Sequence, residues 1–214
     1  MAVIDQIASA LGRRDDIPNK ELARALASDE NTEGIHEIAT NLLNEDSAIQ
    51  SDCIKVLYEV GYLNPALIVE YWQEFLELLD SKYNRLVWGG MTALSTIAML
   101  KADELFPHLN EIKKAVTEGS AITRDSGVTT LAGIGSTCEE YRNTIFPLLV
   151  EILLTCRPKD VPSYSEKSLL TVDKKNADQF TQTLEERIPS LSERQTQRVK
   201  KVIRKVEKIG KLDI

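Results

Sequence analysis

The chain has 214 residues, 43% of them hydrophobic and 28% charged, and its formal net charge is −7. Its apolar runs are far shorter than the roughly 20 residues that cross a bilayer, and its N-terminus lacks the basic and apolar regions of a secretory signal. The three cysteines are odd in number and lack metal-type spacing, which argues against a disulfide framework and a zinc site. We therefore expect a cytoplasmic protein without a membrane segment.

The first part of the chain is irregular. We predict one short helix over residues 2–11 and a second over residues 18–27, and together they would form an N-terminal cap within residues 1–30. The segment from Asp29 to Asp52 then carries seven acidic residues and no Lys or Arg. Such a block of one sign is a candidate interaction feature.

A repeat dominates the rest of the chain. Leu57, Leu94, Leu131, Leu169 and Val206 are 37, 37, 38 and 37 residues apart, and a β-branched residue follows each of them by three positions. A fixed period in this range indicates a stacked array. Apolar spacing within each period predicts two helices: first helices over 65–79, 103–118 and 140–155, and second helices over 48–60, 85–98, 122–135, 164–172 and 193–209.

Local signals at the helix ends support this division. Four segments match the capping box, in which a hydroxyl residue and a Glu or Gln three positions later bond each other's backbone N–H groups; they begin at Ser47, Thr137, Ser163 and Ser192. Gly61, Gly135 and Gly210 follow second helices, so we predict that these glycines form left-handed C-terminal caps.

Residues 121–135 give the clearest second helix, with a charged start, a small apolar middle and a closing Ile134-Gly135, and residues 84–98 are similar. This pattern resembles HEAT repeats, which are near neighbours of armadillo repeats. The resemblance implies an all-α fold, a right-handed α-α superhelix of about six helix pairs. It also implies one domain over 1–214, with repeats in 33–175 and a C-terminal capping pair in 176–214, and it places Arg85 and Arg124 in the family's early Arg position.

The resemblance further implies that the second helices line a concave groove, and helical periodicity then selects the residues that face it. We expect this groove to be mixed in charge at one end, small and neutral in the middle, and basic at the far end. The candidate partner-binding residues are Arg85, Trp88, Thr92, Thr129, Tyr164, Lys167, Lys201, Arg204 and Lys208. Trp88 is the candidate anchor, because Trp is enriched at binding hot spots; the alternative is that it packs against a neighbouring repeat.

The C-terminal segment from Arg194 to Lys211 has eight basic residues and one acid, so it carries +7 and the remaining chain −14. One interpretation is a terminal cap whose polar face keeps the array soluble. The other is a site for an anionic partner, which could be nucleic acid, an acidic peptide or the acidic segment of a second copy. The chain's acidic pI of about 5.1 argues against a dedicated nucleic-acid-binding protein.

No motif for catalysis, a metal or a cofactor stands out. His36 and His108 lie in different repeats without ligands in helical register, and Gly133-Ile134-Gly135 ends a helix rather than opening one after a strand. Some DNA-repair glycosylases are HEAT-like and use a concave Trp, Asp and Arg, but Asp125 does not fall on the expected groove face. We therefore expect a non-enzymatic protein that binds a protein or peptide as a monomer, with a nucleic-acid-binding or DNA-repair-like protein as the alternative.

Overall fold

A computed structural model describes residues 2–210, and these residues form twelve α-helices joined by turns and short 3-10 helices. The described residues pack as two compact units that are divided between residues 130 and 131, inside one continuous helix. None of the described helices is long and apolar enough to cross a membrane.

The first unit contains α1 to α7 and the first part of α8. Their bounds are Ile17–Ser28 (α1), Thr32–Thr40 (α2), Ser47–Leu63 (α3), Trp72–Glu77 (α4), Asn84–Ile97 (α5), Ala102–Leu105 (α6), Leu109–Glu118 (α7) and Ala121–Thr137 (α8). The helix α3 packs between α1 and α5, while α2 packs on α3 and α4 packs on α5. The second helices of successive pairs are therefore direct neighbours, and α1 takes the second-helix place of the first pair.

The second unit contains the end of α8 and four further helices. Their bounds are Glu139–Thr155 (α9), Val161–Ser168 (α10), Ala177–Arg187 (α11) and Glu193–Gly210 (α12). The pairs α9/α10 and α11/α12 are in contact, α10 also packs on α12, and α9 packs on α11. This is the same side-by-side arrangement of helix pairs that the first unit shows.

The repeat positions form the core of both units. Leu57, Leu94 and Leu131 are completely buried and Val206 is 1% exposed. Leu169 is only half-buried, and it lies in a 3-10 helix over Leu169–Thr171 that follows the short α10. The 38-residue spacing before Leu169 therefore marks a real irregularity in the array.

The first helices are more broken than the sequence predicts. Residues 65–79 form 3-10 helices over Pro65–Leu67, Val69–Tyr71 and Leu78–Asp80, with only α4 as α-helix between them. Residues 103–118 are divided into α6 and α7 by a 3-10 helix over Phe106–His108. Pro107, which has no backbone N–H to donate, lies within this second interruption. In contrast, α9 runs over Pro147 without interruption.

Most of the predicted caps are wrong. Asp46, not Ser47, caps α3, with its carboxylate accepting from the Ala48 N–H at 2.7 Å. Thr137 ends α8, and Ser163 lies inside α10. The box at Ser192 is confirmed, since its N–H donates to Gln195 Oε1 at 2.8 Å and the Gln195 N–H donates to Ser192 Oγ at 3.5 Å.

The three glycines do not form left-handed caps. Gly61 and Gly135 lie inside α3 and α8, Gly210 ends α12, and the positive φ angles in the described residues belong to Gly12 and Glu30. A Cβ at Gly135 would approach Thr171 Cγ2 to 2.9 Å. Gly135 therefore allows close helix packing rather than a turn.

A buried polar network fixes the irregular N-terminal segment, which is a 3-10 helix over Val3–Gln6 rather than a helix over 2–11. The Asp52 carboxylate of α3 accepts from the Ser9 N–H at 2.7 Å and from the Asn19 amide at 2.8 Å. The Asn19 amide oxygen in turn accepts from the Ala8 N–H at 2.8 Å. Groups that would otherwise be unsatisfied are thus paired, so this segment is firmly attached to α1 and α3.

Candidate interaction site on the second helices

Three aromatic rings form a row on α3 and α5 in the first unit. Tyr58 lies between Tyr62 and Trp88, with ring-centroid distances of 6.0 Å and 5.9 Å. Tyr58 is buried, Trp88 is half-buried, and Tyr62 is 61% exposed. Trp88 thus packs on the neighbouring repeat and keeps part of its ring at the surface. Its role as a binding anchor stays a prediction.

Trp88 also lines a cleft of about 640 Å³. The cleft lies between the turn before α1, the first turns of α3 and the start of α5. It is lined by Ala8, Ser9, Arg13, Arg14, Asp15, Asp16, Ser47, Ala48, Ser51, Asp52, Arg85 and Trp88. We call it the Trp88 cleft.

The acidic groups of the Trp88 cleft already have partners. Asp15 pairs with Arg13 at 2.9 Å, and Asp52 belongs to the buried network described above. Asp16 lies 2.9 Å from the Lys20 ammonium and 3.2 Å from that of Lys55.

Two guanidinium groups of the cleft are not paired in the way that these acids are. Arg14 and Arg85 are exposed and have no hydrogen-bond or ion-pair partner within residues 2–210. Arg85 precedes Trp88 by three residues, which places the two side chains on one face of α5. The charge that the cleft can offer to a ligand is therefore positive, beside an aromatic surface.

Lys20 and Lys55 hold the pKa of Asp16 down at about 2, against an ordinary value of 3.8, through hydrogen bonds that outweigh the opposite effect of burial. A carboxyl whose pKa is lower in the folded than in the unfolded state stabilises the fold above its unfolded pKa and loses this effect as the pH falls towards the folded value.

We therefore expect Asp16→Asn to lower the free energy of unfolding at pH 7 by roughly 0.5–1 kcal/mol, a size limited by solvent screening of an exposed pair. The difference from wild type should shrink between about pH 4 and about pH 2. Urea unfolding of both proteins across this range measures it. A difference that stays constant down to pH 2 would contradict the role of these ion pairs.

Two predicted site residues of the first unit, Thr92 and Thr129, are less exposed than expected. Thr92 is only 4% exposed, because its hydroxyl donates to the Trp88 carbonyl at 2.7 Å and lies 3.1 Å from Ser126 Oγ on α8. Thr92 therefore joins α5 to α8, and its predicted place on an open face is wrong. Thr129 is half-buried and donates to the Asp125 carbonyl.

In the second unit, Tyr164 is 3% exposed, so the expectation that it is a surface anchor is also wrong. It lies in α10, which α9 and α12 pack against. Lys167 is half-buried, whereas Lys201, Arg204 and Lys208 are exposed on α12. The structure thus brings Arg85 and Trp88 together in one cleft of the first unit, while the three α12 cations belong to the second unit.

Sequence reasoning missed Arg14, Tyr62 and a second cleft of about 580 Å³ between α4 and α7. Trp72 and His108 line this second cleft, with ring centroids 5.9 Å apart. The spacing of Tyr62, four residues after Tyr58, could have indicated its place in the aromatic row. Arg14 lies in a turn outside the repeats, where helical periodicity has no bearing.

Comparison with solved structures shows which fold these helix pairs form. An engineered protein superimposes with a TM-score of 0.66 at 16% identity, covering 98% of both chains. A designed armadillo repeat protein gives 0.63 at 12% identity, covering 95% of this chain and 98% of the other. Another, in complex with the peptide (KR)4, gives 0.64 at 14% identity, covering 97% and 98%.

The chain has the fold of an armadillo/HEAT-like repeat solenoid. This confirms the all-α solenoid predicted from the repeat. No family model and no curated protein matched the sequence. At these identities the likeness establishes the fold of the solenoid alone, because one fold can carry many functions.

Proposed function

We propose that this solenoid is a non-enzymatic binding protein that holds a polypeptide segment in the Trp88 cleft. The observation that supports the proposal most strongly is the grouping of a half-buried Trp with two unpaired guanidinium groups, from Arg14 and Arg85. Trp and Arg are the residue types that contribute most to binding energy at protein interfaces.

The charges of the cleft indicate the chemistry of the partner. The carboxylates of the cleft are already hydrogen-bonded or ion-paired, while Arg14 and Arg85 can each form a bidentate pair with a carboxylate. We therefore propose a segment with at least one Asp or Glu next to an apolar or aromatic side chain that packs on Trp88. A peptide such as (KR)4, which the designed solenoid binds, is the opposite in charge.

The aromatic row explains how an extended segment could continue beyond the cleft. Tyr62 is exposed at one end of the row and Trp88 borders the cleft at the other, with the buried Tyr58 holding both rings in place. Rigid aromatic side chains lose little conformational entropy when they bind, so the row offers contact area at low cost.

The test uses peptides selected from a random library on the wild-type protein. We expect Trp88→Ala and Arg85→Ala each to weaken their binding by about tenfold or more, the range of interface hot spots. The selected peptides should be rich in Asp and Glu. Binding is measured by fluorescence anisotropy of a labelled peptide.

Trp72→Ala is the matched control, because Trp72 is the other tryptophan, is also half-buried and lines the second cleft of the same unit. It should leave peptide affinity unchanged. Circular dichroism melting curves show whether each variant is folded. Peptides that lose affinity with Trp72→Ala and keep it with Trp88→Ala would place the site in the second cleft and contradict the proposal.

A further inference from the structure

The outward surface of α12 carries an excess of positive charge. Val199, Val202, Ile203 and Val206 are buried, and this stripe packs against α10 and α11. The opposite surface carries six exposed cations, which we call the basic face: Arg194, Lys200, Lys201, Arg204, Lys205 and Lys208. None of the six forms a hydrogen bond or ion pair with another residue of the described part of the chain.

One further cation of α12 is paired with an acid, unlike the six cations of the basic face. Arg198 makes a two-pronged contact with Glu166 of α10, with distances of 3.1 Å and 2.8 Å. A cap that served solubility alone would favour both signs of charge mixed on its surface. The helix α12 exposes six unpaired cations against two acids, Glu193 and Glu207, and this excess of positive charge favours an oppositely charged partner.

The chain itself contains a complementary surface. Five exposed acids lie at the two ends of α2: Asp29, Glu30, Glu33, Glu45 and Asp46, which we call the acidic edge. No Lys or Arg occurs between Asp29 and Asp52, and these five carboxylates form no ion pair within residues 2–210. Leu43, which is 79% exposed, lies beside Glu45 and Asp46 and adds an apolar contact point.

The two surfaces also agree in length. The basic face covers fourteen helical steps from Arg194 to Lys208, or about 21 Å at 1.5 Å per residue. Along the chain, the two acidic groups are separated by the nine residues of α2 and the three residues of the following 3-10 helix. At about 1.5 Å and about 2.0 Å per residue, this is about 20 Å of helix. Lysine and arginine stems could lie along Leu43 while their charged groups reach the carboxylates.

We propose that the basic face of α12 binds the acidic edge of a second copy of this chain. The contact joins two different surfaces, so association can close into a ring or continue as an open chain, and in either case it increases with concentration. This site shares no residue with the Trp88 cleft. The proposal therefore replaces the expected monomer and is independent of the proposed function.

Such a contact would be made mainly by exposed charged groups. Exposed ion pairs are individually weak, so the association should be weak, rapid and strongly dependent on salt. Each copy also carries a net charge of −7, which opposes association at low salt. Association at low salt would consequently require local complementarity rather than general attraction.

Nucleic acid is the competing ligand for the basic face. Proteins usually hold single-stranded nucleic acid by stacking its bases on aromatic side chains. The described part of α12 carries no aromatic residue. The remainder of the chain carries −14 and would repel a phosphate backbone over a long range. The acidic edge is opposite in charge to the basic face and similar to it in length. A second copy therefore fits the basic face better than nucleic acid does.

Sedimentation velocity on the full chain tests the proposal. At about 0.01 M salt the screening length is about 30 Å, and we expect the average sedimentation coefficient to rise with protein concentration. At about 1 M salt the screening length is about 3 Å, and the coefficient should stay that of a monomer. A monomer at every concentration in low salt would overturn the proposal.

Charge reversal makes the test specific. The variant Lys201→Glu/Arg204→Glu/Lys208→Glu and the variant Asp29→Lys/Glu30→Lys/Glu45→Lys should each lose self-association by about tenfold or more. An equimolar mixture of the two should associate again, because the acidic helix of one can bind the lysines of the other. If the folded variants do not associate when mixed, the assigned surfaces are wrong.

Two controls complete the experiment. Asp178→Lys/Glu185→Lys/Glu186→Lys changes the net charge as much as the acidic-edge variant does, on exposed positions of α11, and should keep self-association. A labelled short DNA duplex is titrated in parallel at low salt. If the wild type is monomeric and binds this duplex, and the variant with reversed charges on α12 does not bind it, the proposal is overturned in favour of a nucleic-acid site.

Discussion

Gly90→Ala will destabilise the protein by about 2 kcal/mol, although alanine is the better helix former. Gly90 lies in the middle of α5, where α4 and the 3-10 turn after it pack closely. A Cβ at this position would lie 2.7 Å from the Phe75 carbonyl oxygen and 2.9 Å from Leu78 Cβ. Since the first of these atoms belongs to backbone, the two helices must move apart.

The expected size is the difference between two opposing effects. Relief of the glycine's helix penalty contributes about 1 kcal/mol of stability, while overpacking of a tight contact costs about 1–3 kcal/mol and is at its upper end when backbone must move. Gly210→Ala is the control, because nothing lies within 4 Å of a Cβ there. Urea unfolding should show a lower midpoint for Gly90→Ala alone; equal midpoints for both variants would contradict the close approach.

Leu94→Ala is expected to cost about 3 kcal/mol, within the 2–5 kcal/mol found for truncated core leucines. Leu94 is completely buried in α5 at a repeat position. Leu169 occupies the corresponding position of a later repeat but is half-buried in a 3-10 helix. A half-buried side chain loses less transfer free energy and leaves a smaller cavity, so Leu169→Ala should cost about 1 kcal/mol.

Chemical denaturation of the two leucine variants, with the wild type beside them, measures this difference. Similar losses for both would mean that the irregular repeat is packed as tightly as the regular ones. A loss at Leu94 below about 1 kcal/mol would contradict the assignment of the repeat leucines to the core.

The sequence allowed the fold to be predicted because the repeat residues are the core residues. Buried leucines at a period of 37 residues require a buried neighbour in every repeat, and this requirement determines the stacking of second helices. The first helices were harder to predict, since their interruptions depend on local backbone geometry. Pro107 lies in an interruption between two helices, whereas α9 continues over Pro147 although this proline lies in the middle of the helix.

The site was only partly predictable for a different reason. Helical periodicity shows which side chains share a face, but it does not show what a neighbouring helix covers. Thr92 lies on the expected face of α5, yet Ser126 of α8 meets it there. Arg14 enters the Trp88 cleft from a turn far away in sequence. Arg85 and Trp88 were predictable because helical periodicity places Arg85 on the expected groove face of α5 and Trp88 beside it.

The most direct test of the Trp88 cleft uses the chain's own fluorescence. The Trp72→Phe variant leaves Trp88 as the one tryptophan, and a selected acidic peptide is titrated into it. Because binding covers the exposed part of the ring, we predict a saturable shift of the Trp88 emission to shorter wavelength, with the dissociation constant measured by anisotropy. An emission of Trp88 that stays constant while the labelled peptide saturates would contradict the site.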